Sequence, residues 1–262
     1  MVSVSNGRNM FKRAIVRTPG QSMVDGLTTA GLGPPNYEKA LDQHAQYIGA
    51  LEDCGLDVLV LAPDEEFPDS TFVEDVALLT ADCAIITNPG AQSRRGETEA
   101  IKKVLRDFYV NIEEVREPGT VEAGDIMQVG SHFFIGLSDR TNSAGAQQVI
   151  QYLMKYDMSG SMIKLEKVLH LKTGVAYLEQ NHLVACGEFL SKTEFQEFNL
   201  LKVDEDESYA ANCIWVNDRV LIPSGFAKAR ATIESTGYPL EELDVSEFQK
   251  LDGGLSCLSL RF

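Results

Sequence analysis

The 262-residue sequence predicts an α/β protein made of repeated units that close on themselves. One observation is a unit of two short apolar strands around a polar turn, ending in a small residue, which occurs four times. A second is that the glycines closing these units recur at intervals of about 40 to 50 residues, a spacing typical of propellers and other repeat architectures. The four units are Val76–Gly90, Asp125–Gly136, Gly174–Gly187 and Asn212–Gly225.

Helices and a further strand are predicted between these units. The first helix begins at Asn36, which can cap it, and ends at Gly55, and the strand Leu56–Leu61 follows. Its apolar face is predicted from helical spacing at Leu41, Ala45, Ile48 and Leu51. Three more helices are predicted near Glu97–Phe108, Ser143–Tyr156 and Ala227–Ser235.

The two chain ends are predicted to form a fifth unit. Lys12–Thr18 and Gly253–Phe262 both resemble strands, and pairing them would close a ring. No Pro/Gly/Ser-rich linker separates the elements, so we expect one domain over residues 10–262, preceded by a polar extension at residues 1–9. The alternative is an ordinary α/β sandwich in which the hairpins recur by coincidence.

The composition is that of a folded, acidic protein. Hydrophobic residues make up 44% of the chain and charged residues 24%, which argues against disorder, and the formal net charge is −16. No apolar run approaches the ~18 residues that span a bilayer. The acidic balance disfavours nucleic acid and anionic membranes as partners. A cationic small molecule is the more natural ligand, although surface acid often serves solubility alone.

The cysteines and the N-terminus favour a reducing compartment. The five cysteines are odd in number and form no Cys-x-x-Cys motif, and no signal peptide is evident. We therefore expect a cytoplasmic protein with free thiols. None of the four histidines lies three to five residues from another, so the spacing offers no zinc site.

Three residues are candidates for catalysis. Cys257 follows the pair Gly253-Gly254, which lets a ligand approach the backbone closely, and a cysteine there could act as a nucleophile. His170 lies in an alternating apolar and polar segment, and Glu122 lies among small residues. Taken singly, each has an ordinary alternative: a buried core cysteine, a core or rim histidine, and a turn-forming carboxylate.

Other charged residues are candidates for ligand binding. Carboxylates are concentrated at Asp69, Glu74 and Asp75, beside apolar residues, and could bind a planar guanidinium through paired hydrogen bonds. Arg94 and Arg140 could clamp a carboxylate. The ordinary alternatives are a solvated acidic loop and surface arginines.

Taken together, these segments resemble the dimethylarginine dimethylaminohydrolases of the bacterial type. The resemblance runs in order, with similar spacing, from Met10 to Phe262. The segments that carry it are FPDSTFVED, SRRGE, GTVEAGD, LEKVLHLKTG and DGGLSCLSLRF. It implies a pentein fold, a fivefold pseudosymmetric α/β propeller of ββαβ-type units around a central channel, with the active site at the mouth of that channel.

The resemblance also implies roles for individual residues. Cys257 would be the nucleophile, His170 the acid and base, and Glu122 the partner of the histidine. The implied substrate contacts are Leu27, Asp69, Glu74, Asp75, Arg94 and Arg140. The implied reaction converts N-omega-methylated arginine to L-citrulline and methylamine or dimethylamine through a covalent thiouronium intermediate. No step involves redox chemistry, so we expect no cofactor and no metal.

Two classes of alternative stay open. Arginine deimination, or hydrolysis of a related ureido compound, uses a similar set of residues on the same scaffold, although arginine deiminases are longer and carry an inserted helical domain. A non-enzymatic pentein binding protein, such as a ribosome-binding factor, would lack the nucleophile. The expected partner is the small-molecule substrate, with a homodimer as the candidate assembly.

Overall fold

The structure, a computed structural model, describes residues 10–262, so the extension predicted for residues 1–9 lies outside the described residues. It contains six α-helices and fifteen strands within that range. The helices are α1 (Tyr37–Asp53), α2 (Glu97–Leu105), α3 (Ser143–Met154), α4 (Leu171–Gly174), α5 (Ala227–Glu234) and α6 (Ser246–Gln249). The strands are β1 (Arg13–Arg17), β2 (Asp57–Leu61), β3 (Ala77–Leu79), β4 (Ala84–Ile86), β5 (Ile112–Glu114), β6 (Ile126–Val129), β7 (His132–Leu137), β8 (Ser159–Lys164), β9 (Val175–Tyr177), β10 (His182–Ala185), β11 (Asn199–Lys202), β12 (Ile214–Val216), β13 (Arg219–Pro223), β14 (Leu240–Leu243) and β15 (Leu260–Arg261).

The strands form five small sheets of identical topology. In each sheet the first two strands form an antiparallel pair, and the third lies parallel to the middle one. The strand orders are β3-β4-β5, β6-β7-β8, β9-β10-β11, β12-β13-β14 and β15-β1-β2. This arrangement confirms the predicted fold class and the four predicted hairpins, and it differs from the sandwich alternative.

The two chain ends form the fifth sheet, as predicted. β1 pairs antiparallel with β15, with Ala14 opposite Arg261 and Ile15 opposite Leu260. The backbone N–H groups of Lys12 and Arg13 also donate to the carbonyl of Phe262. The last residues of the chain are therefore held against the first strand, which places Cys257 within the ring.

Four of the five units contain a crossover helix before their third strand. These are α1, α2, α3 and α5. The unit of β9, β10 and β11 uses the 3₁₀ turns Gly187–Ser191 and Thr193–Phe195 instead. The buried apolar side chains form clusters that join neighbouring units; one of them brings Ile15 and Leu260 against strands β3 and β4.

The predicted helix α1 is present, but its predicted buried face is wrong in part. Asn36 caps it by accepting the N–H of Lys39 at 3.0 Å. Ala45, predicted to be buried, is exposed. The buried face is instead Ala40, Gln43, His44, Tyr47, Ala50 and Leu51. Two of its polar residues bond the C-terminal segment: Tyr47 donates to the carbonyl of Leu255 at 2.9 Å, and the side-chain oxygen of Gln43 accepts the N–H of Glu247 at 3.0 Å.

No helix among residues 10–262 is both long and apolar enough to cross a bilayer.

Candidate active site

Side chains that are distant in sequence meet in a cavity of about 210 Å³. Cys257, His170 and Glu122 line it together, so the three predicted catalytic residues come together in one place. Five of the six predicted substrate contacts line the same cavity: Leu27, Asp69, Asp75, Arg94 and Arg140. The sixth, Glu74, does not.

The fold brings the reactive residues together through its repetition. A short helical turn precedes the first strand of each sheet, and four of these turns carry or adjoin a site residue. Asp75 lies in the turn before β3, Glu122 caps the turn before β6, His170 caps α4 before β9, and Cys257 lies in the turn before β15. The start of the first strand therefore faces the cavity in four units.

The remaining cavity residues follow the middle strands. Leu27 comes after β1, Arg94 after β4 and Arg140 after β7. Because the first two strands of each sheet are antiparallel, the start of the first and the end of the second lie at the same edge. The predicted binding residues and the predicted catalytic residues therefore share one face of the ring.

His170 and Glu122 form a buried hydrogen-bonded pair. Nε2 of His170 lies 2.8 Å from Oε2 of Glu122, and the backbone N–H of Ala91 donates to the other carboxylate oxygen at 3.0 Å. Burial disfavours the charged imidazolium, but Asp75 and the hydrogen bond to Glu122 outweigh it and raise the pKa of His170 to about 9. His170 is thus protonated at neutral pH and can donate a proton.

Asp75 is held by a cation and by a backbone group. Arg94 Nη1 lies 2.5 Å from its Oδ2, and the N–H of Gly124 donates to its Oδ1 at 3.1 Å. Burial opposes ionisation of Asp75, but His170 and Arg94 together lower the pKa of its carboxyl. Asp75 therefore carries a negative charge into the cavity at neutral pH.

Gly124 allows Asp75 and His170 to approach each other. A Cβ atom at this position would lie 2.7 Å from Oδ1 of Asp75 and 2.9 Å from Nδ1 of His170. Any larger residue would push the two side chains apart. A glycine is therefore required at position 124 because the side chains of Asp75 and His170 pack directly against its backbone.

Cys257 is buried at the wall of the cavity, with 8% of the residue exposed. Its backbone N–H donates to the carbonyl of Gly254 at 3.1 Å, which closes the turn that carries the thiol. Burial, with the nearby carboxylates Asp75 and Glu74, raises the pKa of the thiol to about 12. The thiol is therefore neutral at neutral pH in the free protein.

Arg94 is buried and mostly engaged within the protein. Its Nε and Nη2 donate to Glu97 at 3.0 and 2.8 Å, and Nη2 also donates to the carbonyl of Phe72 at 3.0 Å. These contacts, with the bond to Asp75, fix the guanidinium in the wall of the cavity. Arg94 thus orients Asp75 and leaves few donors for a ligand.

Arg140 is the more available cation. Its side chain is 22% exposed, and its one ion pair among the described residues is a long contact of 3.7 Å to Oε1 of Glu122. The predicted carboxylate clamp thus has one arginine free to bind and one that mainly supports the wall.

Glu74, the sixth predicted substrate contact, is not among the residues that line the cavity. Its Oε1 lies 2.7 Å from Nζ of Lys172 and 3.8 Å from Nη2 of Arg261. Glu74 thus forms an internal ion pair, and its role as a substrate contact stays a prediction.

Asp69 links the binding region to the segment that contains Leu27. Its Oδ1 accepts the backbone N–H of Leu27 at 3.0 Å. Asp252 fixes the same segment from the other side, since its Oδ2 accepts the N–H of Thr29 at 2.5 Å and the hydroxyl of Thr29 at 3.0 Å. The segment is therefore tied both to the acidic loop and to the loop that carries Cys257.

Asp75, Glu122 and His170 also form a group that could coordinate a metal ion by position, with one potential ligand atom from each within 4.8 Å of the others. Arg94 and the His170 imidazolium already balance the charge of the two carboxylates, and a protonated imidazole has no free nitrogen lone pair for a metal. We therefore assign no metal to them.

Several cavity residues were missed by the sequence analysis. They are Thr28, Thr29, Phe72, Leu169, Leu251 and Asp252. Each lies in or beside a segment that also contains a predicted residue, so the signal was proximity to a motif rather than a motif of their own. Phe72 packs so closely on Gly253 that a Cβ atom there would lie 2.2 Å from the ring.

Comparison with known proteins gives a consistent result. The family model of the eukaryotic N,N dimethylarginine dimethylhydrolases matches residues 35–208. The N(G),N(G)-dimethylarginine dimethylaminohydrolase of Pseudomonas aeruginosa is 59% identical over 254 residues, which cover 97% of this chain and 100% of the relative.

Solved structures agree with this match. A cysteine-to-serine mutant of the Pseudomonas aeruginosa enzyme, complexed with citrulline, superposes with a TM-score of 0.96 at 59% identity, covering 97% of this chain and 100% of that one. A histidine-to-glycine variant of a dimethylarginine dimethylaminohydrolase, as an adduct with S-methyl-L-thiocitrulline, gives a TM-score of 0.95 at 59% identity and the same coverage.

Proposed function

The chain belongs to the dimethylarginine dimethylaminohydrolase family, and from this premise we propose that it hydrolyses N-omega-methylated arginines to L-citrulline and methylamine or dimethylamine. The observation that carries the proposal is the meeting of Cys257, the His170–Glu122 pair and the Asp75 carboxylate in one cavity. A nucleophile, a proton donor and anions for a cationic substrate are the groups this hydrolysis needs.

In the proposed complex the guanidinium of the substrate lies over Asp75 and Glu122. These carboxylates can form paired hydrogen bonds with its planar edge. The α-carboxylate is bound by Arg140, with Arg94 behind it, and the α-ammonium by Asp69, whose second oxygen is not used by Leu27. Holding the cation beside the thiol supplies proximity worth about 7 to 11 kcal/mol in favourable cases.

The bound cation also activates the nucleophile. The same burial that keeps Cys257 neutral strengthens its interaction with a guanidinium a few ångströms away. The pKa of the thiol therefore falls when substrate binds, and its proton passes to solvent as the thiolate forms. Thiolate is needed only in the complex, which protects the free enzyme from adventitious reaction.

Chemistry then proceeds in two halves. The thiolate attacks the guanidinium carbon, and the His170 imidazolium donates its proton to the departing amine, which leaves a thiouronium adduct on Cys257. Neutral His170 next takes a proton from water, whose oxygen bonds to the same carbon. Collapse of this second adduct expels the sulfur, which takes up the hydroxyl proton of the adduct. Cys257 thus returns to the thiol, neutral L-citrulline is released, and His170 is again protonated.

The experiment that tests the proposal compares three substrates. Arginine, monomethylarginine and asymmetric dimethylarginine are each incubated with the protein, and both citrulline and the released amine are measured. We expect citrulline with an equal amount of methylamine or dimethylamine from the methylated substrates. Citrulline from arginine alone would instead establish the arginine deiminase alternative.

A first variant tests the carboxylate clamp. Arg140→Ala should raise KM for methylated arginine by about tenfold or more, with a smaller change in kcat, because it removes a charged hydrogen bond worth roughly 1.5 to 3 kcal/mol. Steady-state kinetics measure the effect. Arg95→Ala is a matched control, because Arg95 lies outside the cavity and pairs with Glu117 at 2.7 Å. An unchanged KM in the Arg140 variant would remove this residue from the clamp.

Four further features of the protein stay predictions. They are one catalytic domain over residues 10–262, a homodimeric assembly, a cytoplasmic location, and a reaction without cofactor or metal. The mechanism above uses only side chains and water, which supports the last of these.

A further inference from the structure

Asp125 is a buried carboxylate that the mechanism above does not use. It is 0% exposed, follows Glu122 by three residues, and is not part of the cavity lining. Both of its oxygens accept hydrogen bonds: Oδ1 from the backbone N–H of Leu171 at 2.9 Å, and Oδ2 from the hydroxyl of Ser138 at 2.7 Å. A buried charge is costly unless it is fully hydrogen-bonded, so this arrangement indicates a specific role.

Each partner of Asp125 belongs to a segment that carries a site residue. Leu171 directly follows His170 and begins α4. The oxygen of Ser138 in turn accepts the backbone N–H groups of Arg140 at 3.0 Å and Thr141 at 3.2 Å. Asp125 thus connects the segment of the proton donor with the loop of the substrate-binding arginine.

These bonds close into a ring through Glu122. The backbone N–H of Glu122 donates to the hydroxyl of Thr141 at 3.1 Å, and its carboxylate bonds His170 at 2.8 Å. The ring passes from Glu122 to the Arg140 loop, through Ser138 to Asp125, and through Leu171 back to His170. Movement of any one segment would therefore strain the other two.

We propose that Asp125 is a positioning residue that holds the His170–Glu122 pair and the Arg140 loop in one fixed arrangement. The inference rests on the proposed function, because it concerns the same site. A carboxylate suits this position since both of its oxygens accept, whereas an amide would turn a donor toward either the Leu171 N–H or the Ser138 hydroxyl. The Ser138 hydroxyl would then have to reverse its bond.

The charge of Asp125 also acts on His170. Asp75, Glu122 and Asp125 are the anions that raise the pKa of His170, while burial and the nearby cations Arg94 and Arg140 oppose the imidazolium. Removing the charge at Asp125 leaves two of the three anions. The imidazolium should then lose its proton at a lower pH than in the unchanged protein.

Two variants separate the two links. In Ser138→Ala the Ser138 link to the Arg140 loop is lost while the bond of Asp125 to the Thr141 side chain remains, so KM for methylated arginine should rise several-fold with kcat within about twofold. In Asp125→Asn both links and the charge change, so kcat should also fall, on the order of tenfold. The control is Asp139→Asn, the same substitution at an exposed residue in the same loop, which should change neither constant.

An imidazole titration followed by NMR provides a readout independent of turnover. The pKa of His170 should fall in Asp125→Asn and should stay at about 9 in Ser138→Ala. If Asp125→Asn only lowers the melting temperature, with kcat, KM and the His170 titration unchanged, the proposal is overturned. If Asp125→Asn does not fold, an unchanged KM in Ser138→Ala overturns the link to Arg140.

Failure of the proposed function would be visible separately. In that case the unchanged protein would release no amine from methylated arginine, while the His170 titration of the variants would still report on Asp125. Conversely, if the wild-type protein, Asp125→Asn and Ser138→Ala all turned over methylated arginine at the same rate, only the positioning role of Asp125 would be contradicted.

Discussion

Cys257→Ser is expected to abolish turnover of methylated arginine, with a loss on the order of 10⁴-fold or more. Among the described residues, Cys257 is the only cysteine that lines the cavity. Its turn is closed by the hydrogen bond from its backbone N–H to the carbonyl of Gly254. A serine hydroxyl fits the same space but loses its proton far less readily than a thiol. The substituted protein should therefore bind the substrate without reacting.

Three measurements check this expectation. Citrulline formation should stop, mass spectrometry should find no covalent adduct, and calorimetry should still detect substrate binding. Cys54→Ser is the matched control, because Cys54 is partly exposed and lies outside the cavity, and this variant should keep full activity. Turnover near the wild-type rate in Cys257→Ser would remove the covalent intermediate from the mechanism.

The same thiol should show a steep pH dependence in the free protein. Because burial raises the pKa of this thiol to about 12, only a very small fraction of the free protein carries the thiolate at pH 7. The rate of alkylation by iodoacetamide should therefore increase about tenfold per pH unit above neutrality. A nonreactive guanidinium analogue that leaves room beside the sulfur should shift this profile to lower pH, because its charge stabilises the thiolate.

The arrangement of the site could be predicted because its chemistry lies in short motifs. Cys257 follows a glycine pair, and Glu122 lies in a run of small residues, so each was recognisable locally. The repetition of hairpins also predicted that the chain closes, and the pairing of β1 with β15 confirms it. What the motifs could not show is that the turns before four first strands converge on one face.

The errors come from interactions that span the chain. Ala45 follows the helical pattern but is exposed, because the buried side of α1 is chosen by Tyr47 and its bond to Leu255, more than 200 residues away. The ion pair between Glu74 and Lys172 also has no signal in the motif, and the substrate contact that the resemblance implies for Glu74 stays a prediction. Contacts with residues this far away in the chain cannot be recognised from the neighbouring sequence.

The proposed role of Asp125 is also invisible in the sequence, although Asp125 lies inside a recognised motif. It was assigned only to the start of a hairpin. Its importance lies in accepting bonds from Leu171 and Ser138, which belong to two other segments. A motif thus locates chemistry, but the network that fixes it requires coordinates.

His170→Ala is expected to lower kcat by about 10² to 10⁴, the usual contribution of a general acid and base. An amine is a poor leaving group unless it is protonated, and the His170 imidazolium is placed to supply that proton by its bond to Glu122 at 2.8 Å. Without it, Asp75 and Glu122 also lose a neighbouring cation. The variant should thus bind a cationic substrate well and react with it slowly.

A second kind of substrate can distinguish the two roles of His170, donating a proton to the leaving amine and taking one from the attacking water. An amidine that releases a thiolate needs no protonation of its leaving group, so His170→Ala should still form the covalent adduct with it. The adduct should then persist, because no base activates the attacking water. Mass spectrometry measures its lifetime, and His132→Ala, outside the cavity, is the control with normal turnover. Rapid release of citrulline from this adduct would contradict the role of His170 as base.

The pH dependence of kcat tests whether His170 acts in its protonated form. The donor is the imidazolium, whose pKa is about 9 in the free protein and falls when the cationic substrate binds, so kcat of the wild-type protein should decrease as the pH rises toward that value. The decrease should vanish in His170→Ala, and added imidazole should restore part of the rate, since a free imidazolium can enter the space left by the side chain. An alkaline decrease that persists unchanged in the variant would assign it to another group, and His170 would then not be the acid that releases the amine.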